Sequence, residues 1–408
     1  MRSRKLRTIG VVAVLPLLLG ITACSGGAAN QDVGSDATSP IRVAVLSAGS
    51  GPYADFAAQQ KAGIQFAADE VNATGGVDGH PVELYMADTL GTAEGAVAAG
   101  QKLVQQDQAK FITGLVASPV TLALMQRLDA WGAVQFGTQS QGVNLTGADC
   151  TKNFFRVNTN DDQIVAAMAA WLEGREPIAA WDAIGADYAF GRDSVAGLDD
   201  VVSKQGGEVA TQLFAPLGTT DFGSYIGQLN GGGGLLVANS GGDSINFLKQ
   251  ALQFGTFEKY DLVLGNASLT NSSLAAVNDE RLVGAWGTAN WLASADTPQS
   301  VAFVDAYTQA VGTPPADFTG AAYMAMQTLF AGVKSAGSID PIEVRDALEG
   351  LTFETIKGEV TMRAEDHQMQ APIYLAEVVK GDDGIEFMVK DAIEASTMDK
   401  APNPACQL

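Results

Sequence analysis

Residues 41–76 have the sequence IRVAVLSAGSGPYADFAAQQKAGIQFAADEVNATGG. Its first six residues are almost all apolar, which is typical of a buried strand. From Phe56 to Val71 apolar residues recur at helical spacing, and the pair Gly75-Gly76 then ends the helix. A buried strand followed by an amphipathic helix is the building unit of α/β proteins, so this segment predicts that fold class.

The alternation of strands and helices continues along the chain and forms two series. Apolar runs at residues 82–86, 111–115 and 134–136 extend the first series, and a second series of similar size runs from residues 154–157 to residues 262–264. The helices between these strands are long enough for crossover connections, so each series predicts a doubly wound parallel sheet covered on both faces. Two such sheets predict a cleft, because open α/β sheets bind ligands at the carboxyl ends of their strands.

The last third of the chain has too few strands for a third sheet, and we assign its helices to the first lobe. Residues 358–363 and 374–378 are expected to pair as a hairpin in the second lobe. Repeated crossing of the chain between the lobes forms a hinge. The predicted segments are a signal peptide (1–23), a lipid-anchored flexible tether (24–40), lobe 1 (41–157 and 289–353), lobe 2 (158–288 and 354–400) and a C-terminal tail (401–408).

The N-terminal segment has the charge order of a signal peptide. Four basic residues precede an apolar run from Ile9 to Leu19, which is shorter than a transmembrane helix needs. The sequence Ile21-Thr22-Ala23-Cys24 resembles a lipobox, in which the cysteine thiol receives a diacylglycerol. We therefore expect an exported protein held on the extracytoplasmic face of the cell membrane through Cys24. The alternative is that Cys24 merely ends the signal peptide.

The net charge limits the partners of the mature chain. Removing residues 1–23 removes four of the 24 basic residues and none of the 46 acidic residues, which leaves a net charge of −26. A surface this acidic repels nucleic acid and anionic lipid. Membrane attachment is therefore expected through acyl chains and not through a basic patch.

Two cysteines remain once Cys24 is lipidated. Cys150 and Cys406 are expected to form a disulfide, because an exported protein normally pairs two such residues. The bond would attach the C-terminal tail to the first lobe. The alternative is that both are free, inert thiols and that Cys406 is simply exposed on the tail.

The sequence lacks the motifs of the common enzyme and cofactor classes. It has no G-x-x-x-x-G-K-[ST] loop, and the segment after the first strand, residues 48–52, has a proline where a dinucleotide fingerprint has its third glycine. The only two histidines, His80 and His367, have no neighbours at zinc spacing, which disfavours a metal site or a Ser-His-Asp triad. We therefore expect no cofactor, no metal ion and no catalytic residue.

Polar and aromatic residues follow the ends of several predicted strands. Ser118, next to Ala117, is placed to cap the helix after the third strand, and a helix N-terminus with a hydroxyl group can hold a carboxylate. The candidates at the other strand ends are Thr138, Gln139, Ser140, Tyr188, Ser240, Asn266 and Ser268. Each residue alone is also explained by an ordinary cap or turn, but their shared position predicts a binding site.

Four motifs resemble the type I periplasmic binding proteins, in particular the Leu/Ile/Val-binding family of branched-chain amino acid importers. They are Ser50-Gly51-Pro52, residues 69–77, residues 187–191 and residues 248–251, and the similarity covers nearly everything from Ile41 onward. The resemblance implies two α/β lobes that close on a ligand by a hinge motion.

The resemblance also implies roles for particular residues of this sequence. Contacts with the ligand carboxylate or amine fall on Ala117, Ser118, Thr138, Gln139 and Ser140. An aromatic contact from the first lobe falls on Phe56, and the second-lobe residues that would close over the ligand are Tyr188 and Ser240.

The sequence departs from the amino-acid binders at one position. Those proteins carry a glutamate after the strand corresponding to residues 262–264, where it pairs with the ligand ammonium, whereas this chain has Asn266 and Ser268. Since a buried ammonium without a carboxylate is costly, an amide or an aromatic acid is as consistent as an amino acid. Asp243 is either a substitute partner or a helix cap. The aromatic residues that either line the pocket or fill the core are Trp181, Trp286 and Trp291.

The function implied by the resemblance is that of a monomeric solute-binding lipoprotein. It would capture a small organic solute and deliver it to the permease subunits of an ABC importer. A ligand-sensing receptor with the same lobes is the alternative, and the absence of catalytic motifs disfavours an enzyme on this scaffold.

Overall fold

Strands and helices alternate through the chain, as the sequence predicts. This computed structural model describes residues 39–382, 384–398 and 401–408. The strands are β1 (Ile41–Ser47), β2 (Val82–Asp88), β3 (Phe111–Thr113), β4 (Val134–Gly137), β5 (Phe154–Arg156), β6 (Ala180–Ala186), β7 (Glu208–Ala215), β8 (Gly234–Ala238), β9 (Leu262–Asn266), β10 (Trp286–Ala289), β11 (Thr352–Thr355), β12 (Gly358–Met362), β13 (Met369–Gln370), β14 (Ile373–Lys380) and β15 (Ile385–Ile393). The helices are α1 (Ala54–Ala73), α2 (Ala93–Gln106), α3 (Ser118–Met125), α4 (Leu128–Trp131), α5 (Asp161–Glu173), α6 (Ala189–Lys204), α7 (Gly223–Ile226), α8 (Gly241–Gln253), α9 (Asn271–Val277), α10 (Pro298–Val311), α11 (Asp317–Ala336) and α12 (Pro341–Leu348).

The first lobe is built on a parallel sheet with the strand order β2-β1-β3-β4-β5. Side chains alternate across β1, so that Val43 and Val45 enter the core on one face and Ala44 and Leu46 enter it on the other. Helices α1, α10, α11 and α12 cover the first face, and α2 and α3 cover the second. Both faces are buried, which explains the continuous apolar run of β1.

The second lobe is built on a sheet with the strand order β15-β14-β10-β9-β8-β6-β7. The five adjacent strands β10, β9, β8, β6 and β7 are parallel. β14 runs antiparallel to β10, and β15 runs antiparallel to β14. Helices α5 and α6 pack on one face, and α8 and α9 pack on the other. The predicted pair of doubly wound lobes is confirmed, with an antiparallel edge added to the second.

A separate sheet formed by β11, β12 and β13 corrects one sequence prediction. β12 pairs with β11 and β13, and not with β14 as the expected hairpin requires. Val360 and Met362 of β12 pack in the core of the first lobe. The chain therefore enters the second lobe for the last time between β13 and β14, and not at residue 354. The apolar pattern of a short strand does not specify its partner, which is why the sequence did not resolve this pairing.

The chain passes between the lobes three times within the described residues. The connections run from β5 to α5, from β10 to α10 and from β13 to β14. Several parallel connections of this kind form a hinge about which two lobes can rotate.

The predicted signal peptide, Cys24 and residues 25–38 of the tether lie outside the described residues. Within the described ranges, no helix has both the length and the apolar character needed to cross a membrane.

Cys150 and Cys406 are joined in a disulfide, with their Cα atoms 5.5 Å apart. We expect reduction of the exported protein to raise its intact mass by two hydrogen atoms and to lower its free energy of unfolding by about 2–4 kcal/mol, because the bond restricts the unfolded chain. Mass spectrometry and thermal melts with and without reductant test both effects. A mass that reductant leaves unchanged would mean that the two thiols are free.

Candidate functional site

The carboxyl ends of the two parallel sheets face one another across a cleft. Two adjoining cavities lie there and open to solvent. Their empty volumes, which include the solvent-filled space at their mouths, are about 450 and 300 Å³. Gln139, Gln141 and Ala267 line both cavities. Gln139 and Gln141 follow β4 of the first lobe and Ala267 follows β9 of the second, so both lobes form the walls.

The walls combine aromatic rings with amide and hydroxyl groups. The smaller cavity is lined by Phe56, Val116, Ser118, Gln139, Gln141, Tyr188, Phe190, Ser240 and Ala267. The larger cavity adds, among others, Thr288, Asn290, Trp291, Asp317, Phe318 and Phe387. A small number of polar groups on mostly apolar walls is the usual composition of a small-molecule site.

Three polar atoms in these walls are buried without a hydrogen-bond partner. They are Nε2 of Gln139, Oε1 of Gln141 and Nδ2 of Asn290. Buried polar atoms in proteins nearly always have a partner, so these three atoms are free to bond to the polar groups of a ligand. The two donors suit a carboxylate or an amide carbonyl, and the acceptor suits an N–H or O–H group of the solute.

Arg156 holds the loop that carries the two glutamines. Its buried Nη1 atom donates to the carbonyl oxygens of Ser140 at 3.2 Å and Gly142 at 2.8 Å, and Nη2 donates to the hydroxyl of Thr146. Burial lowers the pKa of Arg156 to about 10, so the side chain stays charged at neutral pH. These charge-assisted bonds fix the loop after β4 on the side away from the cavities.

Three residues that precede helices meet at one end of the cleft. Tyr53 Oη, before α1 of the first lobe, lies 2.6 Å from Tyr188 Oη and 3.1 Å from Ser240 Oγ. Tyr188 and Ser240 stand at the N-caps of α6 and α8 in the second lobe. Burial raises the pKa of both tyrosines, so they act as neutral hydroxyls that donate and accept. These bonds join the two lobes in a closed arrangement.

Asp317 joins the lobes at the other end. Its carboxylate, at the start of α11, accepts from the backbone N–H of Asn271 at 2.7 Å and from Asn271 Nδ2 at 2.9 Å. Burial raises the pKa of Asp317. Asp317 also lines the larger cavity, which therefore has a carboxyl group in its wall. No Lys, Arg or His occurs among the described residues that line the two cavities.

The structure brings half of the residues predicted from the sequence to the cavity walls. Those that line a cavity are Phe56, Ser118, Gln139, Tyr188 and Ser240. Those that line neither of these cavities are Ala117, Thr138, Ser140, Asn266 and Ser268.

Each residue of the second group has contacts within the protein. Ala117 packs in the apolar core of the first lobe. The hydroxyl and amide groups donate to other parts of the protein: Thr138 to Gln60, Ser140 to Val116, Asn266 to Asp161 and Ser268 to Val237. Position at a strand end places a residue near the cleft, but the direction of its side chain depends on the local backbone.

The predicted cap function of Ser118 is also corrected. Ala117 occupies the N-cap of α3, and Ser118 is the first residue of the helix, without a side-chain cap bond. The Ser118 hydroxyl accepts from the backbone N–H of Gly142 at 3.2 Å. Ser118 therefore supports the same loop that Arg156 holds.

Asp243 is not the N-cap of α8. Its carboxylate accepts from the backbone N–H of Gly218 at 2.8 Å, and Ser240 occupies the N-cap of α8. Burial raises the pKa of Asp243 to about 6. Asp243 lines neither of the two cavities and instead fixes the loop after β7.

The three tryptophans divide between the site and the core. Trp291 lines the larger cavity, and its Nε1 donates to Ser300 at 2.9 Å. Trp181 is buried in the second-lobe core. Trp286 packs on Trp171, with ring centroids 4.9 Å apart, and lines neither cavity.

Several further residues of the site were not predicted from the sequence, among them Tyr53, Gln141, Asn290 and Asp317. Gln141 lies two residues beyond Gln139, and Asn290 directly follows β10. The rule that polar residues just past strand ends form the site, the strand-end rule, was therefore sufficient to find both. Tyr53 and Asp317 begin helices, and their partners come from the opposite lobe, which only the three-dimensional structure reveals.

The two histidines have structural surroundings. His367 is buried and stacked on Phe155 with ring centroids 4.1 Å apart, and burial lowers its pKa to about 4. The Nδ1 atom of His80 lies 2.8 Å from the carbonyl oxygen of Ser39. The described part of the chain contains no group of three His, Cys, Asp or Glu side chains that could hold a metal ion.

Comparison with known protein families agrees with this geometry. Residues 40–383 match the family described as Periplasmic binding protein. The chain belongs to the periplasmic binding protein family. The resemblance to type I periplasmic binding proteins of the branched-chain amino acid group is thereby confirmed, as is solute binding, rather than catalysis, as the function. Membership also implies that this periplasmic binding protein is exported and acts outside the cytoplasm.

Individual relatives cover most of this periplasmic binding protein. Leu/Ile/Val-binding protein homolog 3 of Brucella melitensis is 28% identical over 88% of this chain and 95% of its own. The leucine-, isoleucine-, valine-, threonine-, and alanine-binding protein of Pseudomonas aeruginosa is 26% identical over 80% of this chain and 86% of its own. The solved ABC transporter substrate-binding protein from Sphaerobacter thermophilus superposes with a TM-score of 0.77, at 26% identity, over 87% of this chain and 98% of its own.

Proposed function

We propose that this protein captures a small organic solute with a carboxyl or amide head group and an apolar or aromatic body. The buried, unpartnered atoms of Gln139, Gln141 and Asn290 in cavities walled by both lobes are the observation that carries the proposal. The carboxylate or carbonyl oxygens of the head group would accept from Gln139 and Asn290, and an N–H or O–H group of the solute would donate to Gln141. The body would lie against the rings of Phe318 and Phe387. An amino acid remains within this class, because Asp317 can face its ammonium group.

The proposed mechanism is closure of the lobes on the solute. The solute first contacts the loop that carries Gln139 and Gln141, and the second lobe then brings Tyr188 against it. Asn290 lies in the connection from β10 to α10, between the two lobes. A ligand shifts the equilibrium between open and closed lobes only if its contacts differ between the two states. In the closed state the solute has contacts from both lobes. The bonds of Tyr53 and Asp317 across the cleft add to the closed state.

The proposed partners are the permease subunits of an ABC importer, which would recognise the closed form. The names of the relatives support this assignment, since one of them is an ABC transporter substrate-binding protein. We further propose that the protein acts as a monomer and is held on the membrane by lipid at Cys24.

Replacing Cys24 by serine should release the protein from the membrane, because a serine hydroxyl does not receive the diacylglycerol. Fractionation of cells that produce the wild-type and the Cys24→Ser protein measures the effect. Wild type is expected in the membrane fraction and the variant in the medium or the soluble fraction. Membrane association that persists in the variant would contradict lipid anchoring at Cys24.

A thermal-shift screen of amino acids, amides and aromatic or aliphatic carboxylic acids tests the proposed ligand class. A solute that binds only the folded state raises the melting temperature. We expect a shift from at least one solute that has a carboxyl or amide head group. Shifts from none of these solutes would argue against the proposed class.

Replacing Gln139 by leucine should weaken binding of the solute found in this screen. Leucine has a similar volume but no donor, so the loss should correspond to about 1–3 kcal/mol of binding free energy. Isothermal calorimetry measures the change, and Gln101→Leu, on the exposed side of α2, is the matched control. Equal affinities of wild type and Gln139→Leu would remove Gln139 from the site.

A further inference from the structure

Lys357 is a buried lysine behind the larger cavity. It lies in the turn between β11 and β12, and only 3% of its surface is exposed. Its Nζ atom lies 3.4 Å from Oδ1 of Asn290 and 5.5 Å from the centroid of the Tyr374 ring. Within the described residues no carboxylate forms an ion pair with Lys357, and burial alone lowers its pKa, to about 7.

Asn290 connects Lys357 to the cavity. Its Oδ1 atom faces the lysine, whereas its Nδ2 atom is buried without a partner and the residue lines the larger cavity. The amide group is planar, so a donor that holds Oδ1 also fixes the direction of Nδ2. The ammonium form of Lys357 can donate but cannot accept, so it orients Asn290 with the NH₂ group toward the solute.

The charged and titratable groups around Lys357 do not supply a counter-charge. The ring of Tyr374 is neutral, because burial, together with the carboxylates of Asp296 and Glu394, raises its pKa to about 12. Asp317 lies in the wall of the larger cavity, where its carboxylate is already bonded to Asn271. A buried cation without an anionic partner is unfavourable, and such groups concentrate at functional sites.

We propose that Lys357 is a positioning and specificity-determining residue, which holds Asn290 as a donor to the cavity and supplies the buried positive charge that favours carboxylate solutes over neutral amides of the same shape. This inference rests on the proposed function and narrows its ligand class.

Proton uptake on binding follows from this arrangement. A carboxylate in the cavity favours the ammonium form of Lys357 and so raises its pKa above about 7. The complex therefore holds more protons than the free protein near neutral pH, and affinity for a carboxylate falls as pH rises through this range. A neutral amide does not interact with the charge in this way, and its affinity stays constant.

The test compares two carboxylates with their amides, benzoate with benzamide and isovalerate with isovaleramide. Calorimetry at pH 6 and pH 8.5 is carried out on wild type, Lys357→Met, Lys357→Arg and the exposed control Lys102→Met. If binding raises the Lys357 pKa by one unit, the affinity of wild type and of the control for the carboxylate should be at least about fivefold lower at pH 8.5 than at pH 6. Their affinity for the amide should be the same at both pH values. Lys357→Met should bind the carboxylate weakly at both pH values, and Lys357→Arg should keep its affinity at pH 8.5.

The outcomes separate this inference from the proposed function. If neither these two pairs nor any carboxylate or amide of the thermal-shift screen binds wild type, both the proposed function and the role of Lys357 are overturned. If a carboxylate binds with equal affinity at both pH values, or if the pH dependence persists in Lys357→Met, the role of Lys357 alone is overturned, and a persisting dependence points to Asp317. If wild type binds the amide more tightly than the carboxylate at pH 6, the role of Lys357 is also overturned.

Discussion

Replacing Lys357 by methionine is expected to raise the free energy of unfolding of the unliganded protein by about 3–4 kcal/mol at pH 7. Lys357 has a pKa of about 7 in the fold, well below that of an unfolded lysine, so the unfolded chain binds more protons between these values. Stability of wild type therefore rises with pH above 7, and the burial penalty is largest below 7. Methionine keeps the apolar stem and removes the buried charge.

Thermal and urea unfolding of wild type and Lys357→Met at pH 6.5 and pH 9.5 measures this difference. We expect the variant to be the more stable at pH 6.5 and the gap to narrow at pH 9.5, where wild-type Lys357 is neutral in the fold. Lys102→Met, which removes an exposed charge, should change little at either pH. A less stable Lys357→Met protein would mean that the lysine contributes to stability and is not retained for binding.

Replacing Arg156 by alanine should lower the free energy of unfolding by about 3–5 kcal/mol. The guanidinium is buried and donates to the carbonyl oxygens of Ser140 and Gly142, which would lose their partner. The loop that carries Gln139 and Gln141 would then lose its support from β5. We therefore expect solute affinity to fall as well, although Arg156 does not line either of the two cavities.

Chemical denaturation and calorimetry on Arg156→Ala and Arg156→Lys separate the two effects. Lysine keeps the charge but not the two-pronged geometry, so it should restore part of the stability and little of the affinity. The exposed Arg127→Ala is the control for loss of a positive charge. Wild-type affinity in Arg156→Ala would show that the loop keeps its shape without the guanidinium.

The sequence predicted the fold because the local pattern and the tertiary structure agree in the parallel sheets. The apolar run of β1 and the helical spacing of α1 reflect burial on both faces of the first sheet. For β12, the local pattern does not determine the tertiary structure, so the predicted pairing with β14 was wrong. Its apolar residues fit either lobe, and pairing with β11 and β13 is decided by contacts between distant segments.

The site could be predicted only to the level of the strand ends. The strand-end rule found Gln139, Tyr188 and Ser240, which line the cavities. It also selected Ser268 and Asn266, whose side chains turn back into the protein, while Ala267 between them faces the site. The joining of Tyr53 to Tyr188 and of Asp317 to Asn271 depends on the closed arrangement of two lobes, and no local pattern encodes it.

A crystal structure of the protein with the solute that gives the largest thermal shift tests the central claim most directly. We predict solute density in the cavities between the lobes, with its head group accepting from Gln139 and Asn290. Density for the solute outside the cleft, with these two amide groups still unpartnered, would contradict the account.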